Sequence, residues 1–279
     1  MDSHQQAEAC LRGGDVASAI VHLEKDIRFR PDDARLRIFL FQLLAVRGEW
    51  DRARDQLAIA AALDESMLSL AATYGDLLDA ERARADVFAG RCEPSMLSSP
   101  ESWVSWLIES VRLAGCGDHQ GATTARDRAF EAAPTRPGAI NDTRFTWIAD
   151  ADSRLGPVLE VIVRGRYTWV PFSDIATLAI ERPGDLRDLV WAPARLGLVG
   201  QDEITAFVPS RYPGSERHSE PAVTLGRKTV WEQTSPGVYA GFGQRMLATA
   251  EDDWPLLEVR TLALDACSQR QRDLATARG

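Results

Sequence analysis

"RGGDVASAIVHLEKDIRFRP" (residues 12–31) and "VRGEWDRARDQLAIAAALDE" (46–65) superpose at an offset of 34 residues. Gly14 falls on Gly48, Asp15 on Glu49, Ala19 on Ala53 and Leu23 on Leu57. A further copy, "AGCGDHQGATTARDRAFEAAP" (114–134), puts Gly117 and Ala122 on the same frame, 69 residues beyond the second. Glycine suits a left-handed turn between two helices, because it has no Cβ to clash there. Alanine at the recurring positions lets two helix backbones approach closely.

A 34-residue period with Gly-acid at a helix junction is the tetratricopeptide pattern, although its usual Trp and Tyr positions are mostly unfilled. Between the second and third copies, Leu70, Tyr74, Leu77 and Leu78 recur at helical spacing. "SSPESW" then reads as a helix start, with Ser98 and Glu101 as a capping box and Pro100 in the first turn. Residues 1–133 are thus expected to form a TPR-like solenoid of about three helical pairs. "APTRPGAIND" (133–142) carries two prolines and a glycine, which predicts a linker over 134–142.

Beyond it the periodicity changes. "PVLEVIVRGRYTWVPF" (157–172) is β-branched and aromatic on both sides of Arg164-Gly165, a predicted hairpin. Residues 202–209, 222–231 and 255–264 are further strand candidates. The expected fold class is α+β: an N-terminal TPR-like helical solenoid, then a strand-rich α+β domain over 143–270 and a polar tail, 271–279.

Composition narrows the function. The chain of 279 residues is 45% hydrophobic and 26% charged, as soluble globular proteins are. Its net charge of −9 and lack of a Lys/Arg-dense patch argue against nucleic acid. No apolar run reaches the ~18–20 residues of a membrane span. "MDSHQQAEAC" is not built like a signal peptide. Cys10, Cys92, Cys116 and Cys267 lack CxxC spacing, and His4, His22, His119 and His218 lack metal-ligand spacing. A cytoplasmic chain with packed thiols, no metal and no cofactor is the expectation.

Three stretches could carry chemistry. "LGRKTVWEQTSPGVYAGFGQRML" (225–247) is rich in glycine and cations, so an enzyme binding a nucleotide or phosphate through Gly226–Lys228 and Gly241–Arg245 is the alternative function. Neither the Walker nor the dinucleotide spacing is met there, because no glycine precedes by five residues and Met246 stands where a third glycine belongs. The other reading makes Gly226, Gly237, Gly241 and Gly243 turn and bulge residues, with Arg227 or Arg245 buried against a carboxylate or carbonyl. "SRYPGSERHSEP" (210–221) holds Ser215, His218, Ser219 and Glu220 without a nucleophile elbow, and reads as a solvated loop. "AEDDWP" (250–255) lacks calcium-loop spacing and reads as a charged turn between strands. No catalytic residue is expected.

Five stretches of the second half, "RYTWVPFSDI" (166–175), "RDLVWAPARL" (187–196), "LGRKTVWEQ" (225–233), "YAGFGQRML" (239–247) and "PLLEVR" (255–260), occur in this order after the Ala-rich helices. In these the chain resembles the ImpE family, also called TagJ or SciE, accessory proteins of the bacterial type VI secretion system. The resemblance implies a cytoplasmic, non-catalytic adaptor. Its implied partner is the N-terminal helix of the small contractile-sheath subunit (TssB, VipA-like), with an indirect bearing on sheath recycling by the ClpV unfoldase. Arg227, Trp231, Gln244 and Arg245 are the expected partner contacts, because aromatics and arginine are favoured at interface hot spots.

Overall fold

The computed structural model describes residues 3–266. Three helical hairpins make up most of the first half: α1 (Ser3–Arg12) with α2 (Val16–Phe29), α3 (Ala34–Val46) with α4 (Trp50–Leu63), and α6 (Ser102–Gly115) with α7 (His119–Ala132). Between the second and third runs the long α5 (Leu68–Phe88), followed by the short strand β1 (Ser95–Met96). Each hairpin turns on the glycine that the repeat aligned, with φ of +88° at Gly14, +67° at Gly48 and +86° at Gly117. The bonds at these turns also recur. The N–H groups of Asp15, Glu49 and Asp118 donate to the carbonyls of Cys10, Leu44 and Leu113, closing each first helix in the same way. Ala19 and Ala53 are fully buried and Ala122 nearly so.

The second half is dominated by strands. In chain order they are β2 (Gly138–Ile140), β3 (Thr143–Phe145), β4 (Ile148–Asp150), β5 (Val158–Val163), β6 (Arg166–Pro171), β7 (Ile175–Ile180), β8 (Trp191–Leu198) and β9 (Ile204–Pro209). After the single helical turn α8 (Pro221–Thr224) come β10 (Thr229–Ser235), β11 (Val238–Gly243), β12 (Met246–Thr249), β13 (Asp253–Pro255) and β14 (Thr261–Leu264). Nine strands form one sheet in the order β1-β6-β5-β9-β8-β7-β14-β2-β3. Its pairs are antiparallel apart from β1 on β6. β10 and β11 form a separate hairpin, and β13-β12-β4 a small third sheet. The architecture is α+β: a helical first half and a sheet-dominated second.

The β5–β6 hairpin turns on Arg164-Gly165, both left-handed at φ 50° and 72°. All six residues of β5 are buried, because the strand is covered on both faces. Leu159, Val161 and Val163 join the core shared by β7, β8, β9 and β14. Val158 and Ile162 point the other way, into the core built with α3, α5 and α6. Glu160 lies between them in sequence, on the same face by strand alternation.

Four expectations are corrected. Helix α6 begins at Ser102, with Glu101 as an N-cap whose side chain makes no cap bond. The Ser98 hydroxyl donates instead to Asp174 at 3.0 Å, so there is no capping box. The stretch 134–142 carries β2, paired with β14, rather than running free as a linker. Gly138 permits this, since a Cβ there would lie 2.3 Å from the carbonyl oxygen of Ala263. The strand foreseen over 222–231 starts only at Thr229, because α8 and a left-handed Gly226 occupy its beginning. Of the described thiols, Cys92 and Cys116 are exposed rather than packed, while Cys10 is half-buried against the helical core. Cys267 and the tail 271–279 lie outside the described residues.

Candidate functional site

Charge concentrates where the helical half meets the sheet. Arg84 on α5 reaches across to Glu160 on β5, donating from Nε to Oε1 at 2.7 Å and from Nη2 to Oε2 at 2.8 Å. Arg245, just before β12, lies on the other side of the same carboxylate at 3.4 Å. Arg245 also grips Asp150 of β4, from Nε at 3.0 Å and Nη2 at 2.6 Å. Tyr167 donates to Glu160 at 2.5 Å and receives the indole N–H of Trp169 at 2.7 Å. Tyr212 donates to Asp150 at 3.1 Å. Trp191 donates to Glu81 at 3.0 Å. Buried ions require this kind of pairing, since an unpaired charge in a core is strongly destabilising.

The carboxylates respond differently to burial. Burial alone would push Glu160 up, but the guanidiniums of Arg84 and Arg245 together hold it down at about 2. For Asp150 burial outweighs the pull of Arg245, and its pKa rises to about 6. Burial raises Glu81 as well, with Arg84 pulling the other way. The charged groups of the cluster are paired with one another, and Glu81 and Arg84 also border a surface cleft beside Trp50 and Glu216. The cluster's evident work is to weld the two halves together.

Two further arginines of the second half cap helices of the first. Arg211 donates from Nη1 to the Val46 carbonyl at 2.8 Å and from Nη2 to that of Ala45 at 3.4 Å, at the end of α3. Arg227 donates to the carbonyls of Arg12 at 3.4 Å and Leu11 at 3.5 Å, at the end of α1. These are equivalent positions in the first two repeats, and a cation at a helix C-terminus is favourable. Trp191 packs against Trp50 and Tyr74, with ring centroids 6.0 Å from each. Trp50 of α4 and Tyr74 of α5 are therefore covered by Trp191 from within the chain.

The four expected contact residues separate. Arg245 has no exposed surface and belongs to the ion cluster. Its burial against a carboxylate realises one of the two readings of the sequence and removes it from a partner's direct reach. Gln244 is half-buried and ties backbone to backbone, donating to the Gly226 carbonyl at 2.7 Å and accepting from the Leu257 N–H at 3.1 Å. Arg227 is exposed apart from its cap bonds. Trp231, on β10, is 41% exposed and its ring lies 5.5 Å from that of Tyr212.

The glycine-rich stretch holds no phosphate cradle. Such a loop needs free backbone N–H groups. Here those of Gly226, Arg227, Gly241, Gly243, Gln244 and Arg245 donate to Val223, Ala222, Asp152, Ser215, Lys228 and Ser210, respectively. Lys228 is held by Glu220 at 3.0 Å. Gly241 serves packing, since a Cβ there would lie 2.4 Å from the Tyr212 ring.

The 210–221 loop, expected to be solvated, is largely interior: Ser210 and Ser215 are fully buried, Tyr212 and Arg211 almost so. The Ser215 hydroxyl donates to the Tyr212 carbonyl at 2.5 Å and accepts from Gly243 at 2.8 Å, while His218 accepts from Glu220. Serine and histidine are thus engaged separately. Residues 250–252 do form a turn between β12 and β13. Among the described residues, no cluster of His, Cys, Asp and Glu could hold a metal, and no helix is long and apolar enough to cross a membrane.

The sequence pattern missed the ion cluster. Besides the reading of Arg245 as buried against a carboxylate, its visible trace is Glu160, a lone acid inside the apolar run "VLEVIV" (158–163).

Comparison with known proteins decides the family. Residues 142–263 match the family model described as ImpE protein. Over 256 residues, 92% of this chain and 90% of the relative, the sequence is 44% identical to the type VI secretion system accessory component TagJ of Pseudomonas aeruginosa. The chain belongs to the ImpE family. Its fold is shared by the crystal structure of protein VPA1032 from Vibrio parahaemolyticus, with a TM-score of 0.87 at 27% identity, covering 94% of this chain and 98% of that one. Membership in this family of accessory proteins supports a non-enzymatic role. The ImpE match spans β3 to most of β14, including the turn through Arg245 and every sheet carboxylate of the ion cluster.

Proposed function

We propose that this chain is a non-catalytic, cytoplasmic adaptor of the type VI secretion system. It binds the N-terminal helix of the small contractile-sheath subunit and thereby bears on sheath recycling by the ClpV unfoldase. The observation that carries this reading is the 44% identity, over 92% of the chain, to a protein named as an accessory component of that system. Two features support it. The three helical hairpins with left-handed Gly14, Gly48 and Gly117 fit a TPR-like solenoid, an architecture used to hold peptides and helices. At least six of the eight N–H groups of Gly226–Lys228 and Gly241–Arg245 donate within the chain, which disfavours the nucleotide-binding alternative.

We take Arg227 and Trp231 as candidate contacts, since they alone of the expected four present exposed side chains. The test is calorimetric titration with a peptide of the sheath subunit's N-terminal helix from the same organism. Saturable binding, weakened by Arg227→Glu or Trp231→Ala, is the expected result. Absence of binding to folded protein overturns the reading.

A further inference from the structure

The "SSPESW" stretch that does not cap its helix does something else. Residues 97–101 leave the edge strand β1 and form one wall of a cleft of about 320 Å³. Val170 and Pro171 at the end of β6 form its floor, and Leu198 at the end of β8 with Val199 and Gln201 beyond it the opposite wall. Two large apolar side chains stand at its rim uncovered, Leu97 at 38% and Val199 at 43% exposure. Two carboxylates, Glu101 and Asp174, line it, and no lysine or arginine does.

Neither acid is in an ion pair among the described residues, and Arg136 is spent on the carbonyls of Ser173 and Ile175, either side of Asp174, at 2.6 and 3.1 Å. Asp174 receives only hydroxyl groups, from Ser98 at 3.0 Å and Ser173 at 3.4 Å. Glu101 makes no cap bond. Among the described residues neither carboxylate has a cationic partner. The contrast with the cleft between α6, α7 and the β10–β11 hairpin is sharp. There the lining arginines, Arg126 and Arg154, are already neutralised by Asp127 and Asp152, each at 2.6 Å. Like charges without an ion-pair partner, sharing one concave site, favour a cationic guest.

We propose that this cleft docks an extended partner segment in which a large apolar side chain is flanked by arginine or lysine. The apolar side chain enters between Leu97 and Val199, and the cation meets Glu101 and Asp174. The segment continues the line of the sheet edge where β1 stops after two residues. This deepens the adaptor reading and rests on it, by assigning a surface and a partner chemistry.

Fluorescence anisotropy of the full chain with two labelled synthetic peptides tests the assignment. One peptide alternates leucine with arginine, and its twin carries glutamate in place of arginine. The arginine peptide is expected to bind saturably and its twin not at all. Glu101→Gln combined with Asp174→Asn should weaken binding at least tenfold with the thermal midpoint little changed, since glutamine places no cation at the start of α6 and asparagine keeps the Ser98 bond. Glu65→Lys, at the acid-rich corner between α4 and α5, controls for overall charge and should change affinity less than twofold. No binding of the arginine peptide, equal binding of the twins, or an equal loss from Glu65→Lys overturns the proposal. Sheath-peptide binding untouched by the cleft variants removes the cleft and leaves the adaptor reading standing. Cleft binding without sheath-peptide binding does the reverse.

Discussion

Arg84 and Glu160 lie 76 residues apart, one on helix α5 and the other on strand β5, and meet in a bidentate ion pair with neither side chain more than 5% exposed. The pair joins the halves that the sequence separates most clearly. Removing one member leaves a charge with no water to replace its partner. Arg84→Ala is therefore expected to destabilise the fold by about 3–5 kcal/mol, read as the fall in free energy in urea unfolding. A loss under about 1 kcal/mol would mean that solvent reaches Glu160 in the mutant.

Glu160 also sets a pH dependence. Its folded pKa of about 2 lies below the ordinary 4.5, so the folded state binds its proton less readily than the unfolded chain does. That stabilisation is complete above about pH 4.5 and is lost as pH falls toward 2, up to about 3 kcal/mol in all. Asp150, raised to about 6, acts in the opposite sense: its contribution falls as pH rises from about 4 to 6. Glu160→Gln should flatten the acid limb below pH 4.5, and Asp150→Asn the slope between 4 and 6. Unfolding free energies measured from pH 3 to 8 separate the two. An acid limb unchanged in Glu160→Gln would place its origin elsewhere.

Turn glycines offer a comparison between local and tertiary cost. Gly48 and Gly117 are both left-handed, at φ 67° and 86°. A Cβ at Gly117 meets nothing within 4 Å, whereas one at Gly48 would lie 2.2 Å from Cγ of Glu216. Gly117→Ala should cost only the left-handed penalty of about 1–2 kcal/mol. Gly48→Ala should cost more, because the 215–217 turn must also move. Equal thermal shifts in the two variants would show that Glu216 gives way freely.

What was legible in the sequence was local. The glycines at 14, 48 and 117, and the Arg164-Gly165 hairpin, follow from backbone sterics within a few residues. The buried character of Arg211, Tyr212 and Ser215 was not legible. Polar residues beside proline and glycine read as solvated, and only the α3 carbonyls and the β11 backbone show why they are interior. Arg245 was visible as a choice between core and surface, and its partner Asp150, 95 residues away, decides it. The Ser98–Glu101 pattern failed because Asp174, remote in sequence, takes the hydroxyl that a cap would use.

The four expected contact residues can be sorted by stability before any partner is added. Arg227 and Trp231 contribute exposed surface, so Arg227→Glu and Trp231→Ala should each change unfolding free energy by no more than about 1 kcal/mol. Trp231 has the larger effect of the two through its contact with Tyr212. Arg245→Ala strips a fully buried cation from both Asp150 and Glu160 and should cost about 3–5 kcal/mol. Gln244→Ala lies between, because it leaves the Gly226 carbonyl and the Leu257 N–H without partners. Lost partner binding in Arg245→Ala would then report a weakened fold, whereas the same loss in Trp231→Ala, with its thermal midpoint intact, would locate a contact. Should Arg245→Ala melt like the parent protein, Asp150 and Glu160 do not depend on its charge.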